Sequence, residues 1–285
     1  MKHIIGFLFA AAAWSLSVHA QNPIRIDSSA LRHGPEKGAL VIIGGGTVVT
    51  EIWDTIIALA GGVDSARFVV VSNASGEQDD FHSAALDTLV RRLGEASVHR
   101  LHLTTIRQAN DEANLELLKQ ATGIYFTGGR QWRIADAYLN TLAHQAFFDL
   151  LDRGGVIAGS SAGASIQGSF LWRGDTKSAN IHIGDHTQGL GFLRNSAIDQ
   201  HILVRNRQFD LQAFLKAAPH FIGIGLDEST AIVVVRDELE VIGKSFVAIH
   251  RTEQDTPPFT LLRKGQKYDL KERKLIRREY DRTHQ

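Results

Sequence analysis

The sequence predicts an α/β fold built on a mostly parallel sheet, and three patterns predict it. Short β-branched apolar runs recur, as ALVII at 39–43, RFVVV at 67–71, GIYF at 123–126 and VIAG at 156–159. Runs that are continuous rather than alternating suit strands buried on both faces. Segments of helical period separate them at the spacing of repeated βαβ units, so helices should cover both faces of the sheet.

The elements follow in order. Residues 21–38 are a polar lead-in with scattered Pro and Gly. ALVIIGGG at 39–46 reads as a strand running into glycines. TEIWDTIIALAGG follows as a helix, with Thr50 as its N-cap and Gly61 as its stop. RFVVVSNAS at 67–75 is a second buried strand, 79–94 a helix, and SVHRLHL at 97–103 a strand. Residues 109–120 read as a helix, 123–129 as a strand, 131–152 as helical, and 154–161 as a strand and turn. Beyond this the pattern changes. Residues 171–200 are rich in Gly and His with weak periodicity and predict long loops. Residues 221–251 predict several short strands joined as antiparallel hairpins. The tail from about Arg263 mixes both charge signs. That suits a solvated hairpin and frayed end better than a polyanion-binding arm.

The N-terminal twenty residues stand apart. Lys2 precedes an apolar stretch from Ile4 to about Leu16, and Val18-His19-Ala20 fits the small-x-small rule for signal cleavage after Ala20. The stretch is short for a bilayer span, which needs about 20 residues. An exported protein, periplasmic or extracellular, is expected, with residues 21–285 as one domain and no membrane partner after cleavage. Hydrophobic residues at 44% are enough for a sizeable core, and a formal net charge of zero gives no bulk attraction to nucleic acid. With no cysteine in the chain, a thiol nucleophile and a thiolate metal site are both excluded.

The strongest local signal is GGVIAGSSAGAS at 154–165. A buried strand meets two serines and then small residues able to start a helix. A sharp strand-to-helix turn lifts the central side chain above the sheet edge and aims N–H groups at a developing oxyanion. In the G-x-S-x-G run Gly159-Ser160-Ser161-Ala162-Gly163, the elbow position is Ser161, and Ser160 should point elsewhere. A packed or phosphate-binding Gly/Ser turn is the plain alternative. A serine hydroxyl needs a base. Among 13 histidines, His201 is distinguished by its setting, AIDQHILVRNR, where Asp199, Arg205 and Arg207 crowd one polar stretch. Two guanidiniums beside a histidine suit acyl transfer on an anionic substrate; a charged surface loop is the alternative. Asp227 and Glu228 follow the apolar strand IGIGL, and either could orient the histidine. Gly128 and Gly129 follow another strand and could offer a second oxyanion N–H, and Gln131 could hydrogen-bond substrate.

Rival chemistries are weaker. His182 and His186 flank Gly184-Asp185, and would share a face for a metal only if the segment were helical. Gly44-Gly45-Gly46 lacks both the G-x-G-x-x-G pattern and a G-K-[ST] ending. No metal and no cofactor are expected.

Taken together, VIIGGG at 41–46, FTGGRQ at 126–131, GSSAGAS at 159–165, residues 189–207, GIGLDESTAIVV at 223–234 and KGQKYDL at 264–270 resemble the cyanophycinase family of serine peptidases, relatives of aspartyl dipeptidase. The resemblance implies a three-layer, flavodoxin-like or class I glutamine amidotransferase-like fold, with antiparallel additions near the C-terminus. It implies Ser161 as nucleophile, His201 as base and Glu228, rather than Asp227, as the third member. It also implies that Gln131, Asp199, Arg205 and Arg207 contact substrate; the elbow and the glycine turn themselves point to the Ala162 and Gly129 N–H groups as the oxyanion hole. The implied substrate is a poly-aspartate backbone carrying amide-linked arginines, released as β-Asp-Arg dipeptides. Relatives cleave short peptides after aspartate. A homodimer is implied by the same analogy. Two departures are visible. Arg130 stands where the family often has Asp, and residues 171–189 match no family pattern.

Overall fold

The computed structural model describes residues 32–76, 83–250 and 258–276. The expected signal peptide with its cleavage point after Ala20, residues 79–82 of the second helix, and residues 277–285 of the charged tail lie outside them. The first apolar run forms β1 (Ala39–Ile43), buried along its whole length. It leads to α1 (Thr50–Leu59), β2 (Phe68–Val71), α2 (Ala84–Leu93) and β3 (Val98–Leu101). The helices α3 (Ile106–Ala109) and α4 (Glu116–Gln120) precede β4 (Gly123–Phe126). Next come α5 (Gln131–Tyr138), α6 (Leu142–Asp152), β5 (Val156–Ser160) and α7 (Ala162–Ser165). The second half holds β6 (Gly168–Phe170), β7 (Leu193–Gln200), α8 (Leu211–Ala217), β8 (Ile222–Leu226), β9 (Thr230–Val235), β10 (Glu238–Gly243) and β11 (Phe246–His250). It ends in β12 (Phe259–Arg263), β13 (Lys267–Asp269) and β14 (Lys274–Ile276).

The main sheet has the order β14-β13-β10-β9-β1-β5-β4-β2-β3. Its core, β1-β5-β4-β2-β3, is parallel throughout. The C-terminal strands add to it antiparallel through β9 on β1. Alternation along β1 divides the interior. Ala39, Val41 and Ile43 pack with Ile52, Trp53 and Ile56 of α1 and Leu89 of α2. Leu40 and Ile42 face the other way, with Ile134 of α5 and Phe147 of α6. Each such Leu or Ile, removed from water, stabilises by roughly 2 kcal/mol. That fixes the strand register, because a one-residue slip would exchange the two faces.

Several sequence expectations are corrected. Thr50 is the first residue of α1 rather than its cap; Val49 precedes it and makes no side-chain cap bond. The expected single helices at 109–120 and 131–152 are each broken. In the second, Asn140 takes a left-handed φ of 58°, and the Thr141 hydroxyl accepts from the His144 N–H to start α6. The largest difference lies in the second half. Residues 193–200 are not loop but strand β7, part of a separate five-stranded sheet of order β12-β11-β8-β7-β6. There β6, β7 and β8 run parallel, and β11 and β12 antiparallel. One face of this sheet joins the main core through Ile198, Ile224 and Ile249. The other lies under α8, where Trp172 and Ala197 meet Leu211, Phe214 and Leu215. Consequently the turn after β8 is not a hairpin turn: β8 and β9 belong to different sheets.

Candidate active site

The elbow predicted at 159–163 forms. Strand β5 ends at Ser160, Ser161 takes φ 57° and ψ −108°, and α7 starts at Ala162. A left-handed φ is costly for a residue with a Cβ and persists where the surroundings over-determine it. Here the Ser161 N–H is held by the Ile43 carbonyl at 3.0 Å. The crossing of strand and helix is close enough that a Cβ at Gly163 would fall 2.1 Å from the Phe126 carbonyl oxygen. Ser160 is turned away and hydrogen-bonds the buried hydroxyl of Tyr125.

His201 follows the end of β7, and Glu228 lies two residues beyond the end of β8. The Ser161 hydroxyl lies 2.9 Å from His201 Nε2. His201 Nδ1 lies 2.6 Å from Glu228 Oε1. The three residues therefore converge at carboxyl ends of strands, as expected, but the strands come from two different sheets. The junction is β1. Its carboxyl end offers three successive carbonyls: Ile43 accepts from Ser161 N, Gly44 from His201 N at 2.9 Å, and Gly45 from Ser229 N at 2.9 Å. The triglycine that lacks a nucleotide-loop pattern is thus the floor on which the serine, the histidine and the carboxylate segment are hung. Sequence reasoning missed this role. The only signal for it was the position of the glycines after a buried strand.

Asp227 and Glu228 separate cleanly. Asp227 Oδ1 accepts from the N–H groups of Leu203 and Val204, and Oδ2 from the Ser245 hydroxyl. It pins the turn after His201, while Glu228 faces the imidazole. Burial of His201 lowers its pKa below the ordinary histidine value. The Glu228 hydrogen bond opposes the shift, and the guanidiniums of Arg205 and Arg207 add to it. A neutral imidazole at neutral pH is the form that accepts a proton.

As the first helical residue, Ala162 has an N–H with no intrahelical acceptor. Gly128 packs against the serine, a Cβ built on it lying 3.5 Å from Ser161 Cβ; Gly129 follows with φ 140°. A cavity of about 550 Å³ opens beside Ser161, lined by Val48, Trp53, Tyr125, Thr127 and Ser160 among others.

Of the four expected substrate contacts, one is exposed and three are buried. Arg205 is exposed near the imidazole. Arg207 is 7% exposed and donates through Nη1 to the Gln200 side-chain oxygen at 3.1 Å. The other two are engaged within the fold. Gln131 is buried and its amide nitrogen donates to the carbonyls of Trp172 and Arg173. Asp199 is fully buried and its carboxylate is taken by Arg173 and the Trp172 indole. Gln131 and Asp199 thereby hold Trp172 and Arg173 in place beside the site. The segment 171–189 is anchored further by Arg130, whose guanidinium donates to the Asp175 carbonyl. His182 and His186 are not on a helix. His182 stacks on Trp172, and His186 bridges Asp136 and Asp185.

A serine on a strained strand-to-helix elbow, joined through a histidine to a carboxylate and facing an open cavity, is the arrangement of a serine hydrolase. The signature of peptidase family S51 spans residues 40–242, and the chain belongs to that family of serine peptidases. It is 31% identical over 231 residues to the cyanophycinase of Synechococcus elongatus, covering 79% of this chain and 71% of that protein. With the cyanophycinase of Geminocystis herdmanii strain PCC 6308 it shares 31% identity over 223 residues, 75% of this chain and 80% of the other. Among solved structures, a peptidase from an acI-B1 actinobacterium superposes with a TM-score of 0.62 at 24% identity, over 83% of this chain and 98% of that one. A putative peptidase E protein from Listeria monocytogenes EGD-e gives 0.51 at 14% identity, over 73% and 100%. The two structures share the fold: a mostly parallel core sheet with antiparallel additions.

Proposed function

We propose that the protein hydrolyses aspartyl-linked peptides through an acyl-enzyme on Ser161. The hydrogen-bonded line Ser161–His201–Glu228 at the elbow carries the reading. His201 takes the Ser161 proton as the hydroxyl attacks the scissile carbonyl carbon. Glu228 holds the ring and stabilises its protonated form. The Ala162 N–H, with that of Gly129 on the facing loop, receives the oxyanion. The protonated imidazole then gives its proton to the leaving amine. Water, deprotonated by the same ring, releases the acid. Arg205 and Arg207 bring guanidinium forks to the histidine side, where a substrate carboxylate is matched bidentately. No metal or cofactor enters any step.

For the particular substrate, the relatives named as cyanophycinases support cyanophycin, and the family resemblance implies cleavage from an end to β-Asp-Arg. A second reading, a peptidase for other short aspartyl or isoaspartyl peptides, is favoured by the internal engagement of Gln131 and Asp199 with Trp172 and Arg173. Incubating the protein with cyanophycin and with a panel of Asp-Xaa and β-Asp-Xaa dipeptides, and identifying products by mass, separates them. Release of β-Asp-Arg from the polymer would establish the first; cleavage of dipeptides alone, the second. A protein that cleaves neither and resists a fluorophosphonate label would be a binding homologue instead. The basic, apolar and small-residue order of the first twenty residues supports export, and a mature chain starting at Gln21 would establish it.

A further inference from the structure

Arg173 lies in the one long segment that matched no pattern, yet it is 2% exposed and its backbone is left-handed, with φ 57°. Its side chain reaches back to the end of β7. Nε donates to Asp199 Oδ1 at 2.8 Å, and Nη2 to Asp199 Oδ2 at 3.0 Å. Nη2 also reaches Asp210, and Nη1 donates to the Ala179 carbonyl. The Trp172 indole N–H and the Gln200 backbone N–H complete the shell of Asp199. The result is a recess the size of a guanidinium, walled by two carboxylates and an indole and filled by the chain's own arginine. Its outer wall is the open one, since Asp210 and His182 are 25% and 44% exposed.

The recess adjoins the catalytic histidine's neighbours. Asp199 lies two residues before His201, and Arg207 Nη1 is 4.0 Å from Asp199 Oδ1. Arg207 is a nearly buried cation whose Nη1 donates to the neutral oxygens of Gln200, and the carboxylate beside it, Asp199, is already committed bidentately to Arg173. Two like charges share one deeply buried acid, and the bidentate fork takes it.

We infer that Arg173 sets the charge selectivity of the site: by occupying Asp199 it keeps Arg207 available for a substrate carboxylate. The inference rests on the aspartyl-peptide reading for the identity of the substrate; the succinate arm of its test does not. With Arg173 gone, Asp199 would turn to Arg207 and quench that cation. Arg173 touches no reacting atom in this scheme; it is a specificity-determining residue acting through Asp199 and Arg207.

The test uses the full chain carrying Arg173→Gly, since glycine tolerates the left-handed backbone. Two quantities are read: KM for an Asp-Xaa dipeptide, and the inhibition constant of succinate against hydrolysis of a small neutral ester. Both should rise about tenfold or more, the order expected when one charge-assisted contact is lost, while kcat on the ester stays near wild type. Low-millimolar guanidinium chloride should restore both by refilling the recess, and sodium chloride at equal ionic strength should not. Unchanged constants would overturn the inference. So would equal losses on ester and dipeptide, or constants that guanidinium fails to restore. If Arg173→Gly does not fold, Arg173→Lys serves. Its ammonium lacks the fork, so Arg207 competes for Asp199 and succinate should inhibit several-fold more weakly than in the wild type, with kcat on the ester kept. Inhibition at the wild-type level in that variant, or none in the wild type, would equally overturn it. A wild type that cleaves the ester and binds succinate but no aspartyl peptide would defeat only the proposed function.

Discussion

Gly45 lies directly beneath His201: a Cβ placed on it would fall 2.1 Å from Cε1 of the imidazole and 2.6 Å from Nε2. The neighbouring Gly46 stands in the same relation to Glu228, with 2.7 Å to Oε2. Two glycines at the end of β1 thus determine how low the histidine and its carboxylate sit over the sheet. Neither hydrogen bond of the ring, 2.9 Å to Ser161 and 2.6 Å to Glu228, leaves room for the ring to rise.

Gly45→Ala should therefore disable catalysis while leaving the fold. The added methyl must push the ring, and φ at this position is 108°, strained for any L side chain. A displacement of the order of 1 Å costs roughly a hundredfold in rate. Fluorophosphonate labelling of Ser161 should slow by at least that order, with far-UV circular dichroism unchanged. Labelling at the wild-type rate would show that the glycine floor is not what positions the histidine.

The paired acids after β8 should fail in different ways. Glu228→Gln keeps the shape but removes the charge that supports the imidazolium, so kcat should fall about 10²–10⁴-fold with little change in Tm. Asp227→Asn leaves the Leu203 and Val204 N–H groups and the Ser245 hydroxyl with a weaker acceptor. It should cost on the order of 2 kcal/mol of stability, read by denaturant melts, and reduce activity through loosening of the turn after His201. Exchanged phenotypes would reverse the assignment. Ser161→Ala should abolish labelling, and Ser160→Ala, altering only the contact with Tyr125, should not.

What the sequence made legible follows from how far each residue's partners lie. β1 and β5 are continuous apolar runs because both faces are covered, and that property is written locally. β7 is LRNSAIDQ, with Asp199 and Gln200 buried at its end. Buried polar residues look like loop unless Arg173 and Arg207, which satisfy them, are seen alongside. The elbow at Ser161 was readable because strand, turn and helix are contiguous. The choice of Glu228 over Asp227 came from family resemblance, and its physical reason, the competing claim of the 203–204 turn on Asp227, is tertiary. The triglycine announced itself but not its purpose, which exists only once His201 has been folded over it.

Acid should unfold the protein through its buried histidines. His250 is 1% exposed, and burial lowers its pKa from 6.5 to about 4. The sign follows from the lowered value. The folded state prefers the neutral ring, so the stability is fully present above pH 6.5 and is lost as pH falls toward 4. The amount at stake in that window is on the order of 3 kcal/mol. His33, His144 and His201 are lowered as well, each chiefly by burial, and should steepen the same limb. His250→Phe should flatten the fall in stability between pH 6.5 and 4 in urea titrations. A slope identical to that of the wild type would mean that His250 does not carry it.

Arg205 should affect both the pH profile and the substrate, and two substitutions separate the effects. Its positive charge disfavours the imidazolium of His201. Hydrolysis of a small neutral ester by the wild type should therefore rise with pH around a midpoint below the ordinary histidine value. Arg205→Ala removes the repulsion, so the His201 pKa rises and the ascending limb moves to higher pH, while the plateau rate is kept. Arg205→Lys retains the charge, and its ester profile should overlay that of the wild type. Lysine lacks the planar fork, however, so kcat/KM for aspartyl peptides should fall about tenfold in Arg205→Lys, the loss expected from one bidentate carboxylate contact. The combination is diagnostic: a pH shift in the alanine variant alone, and a peptide defect in both. If lysine shifts the pH profile as far as alanine does, charge is not what tunes His201. If neither variant loses activity on peptides, Arg205 is a surface charge, and carboxylate recognition rests on Arg207.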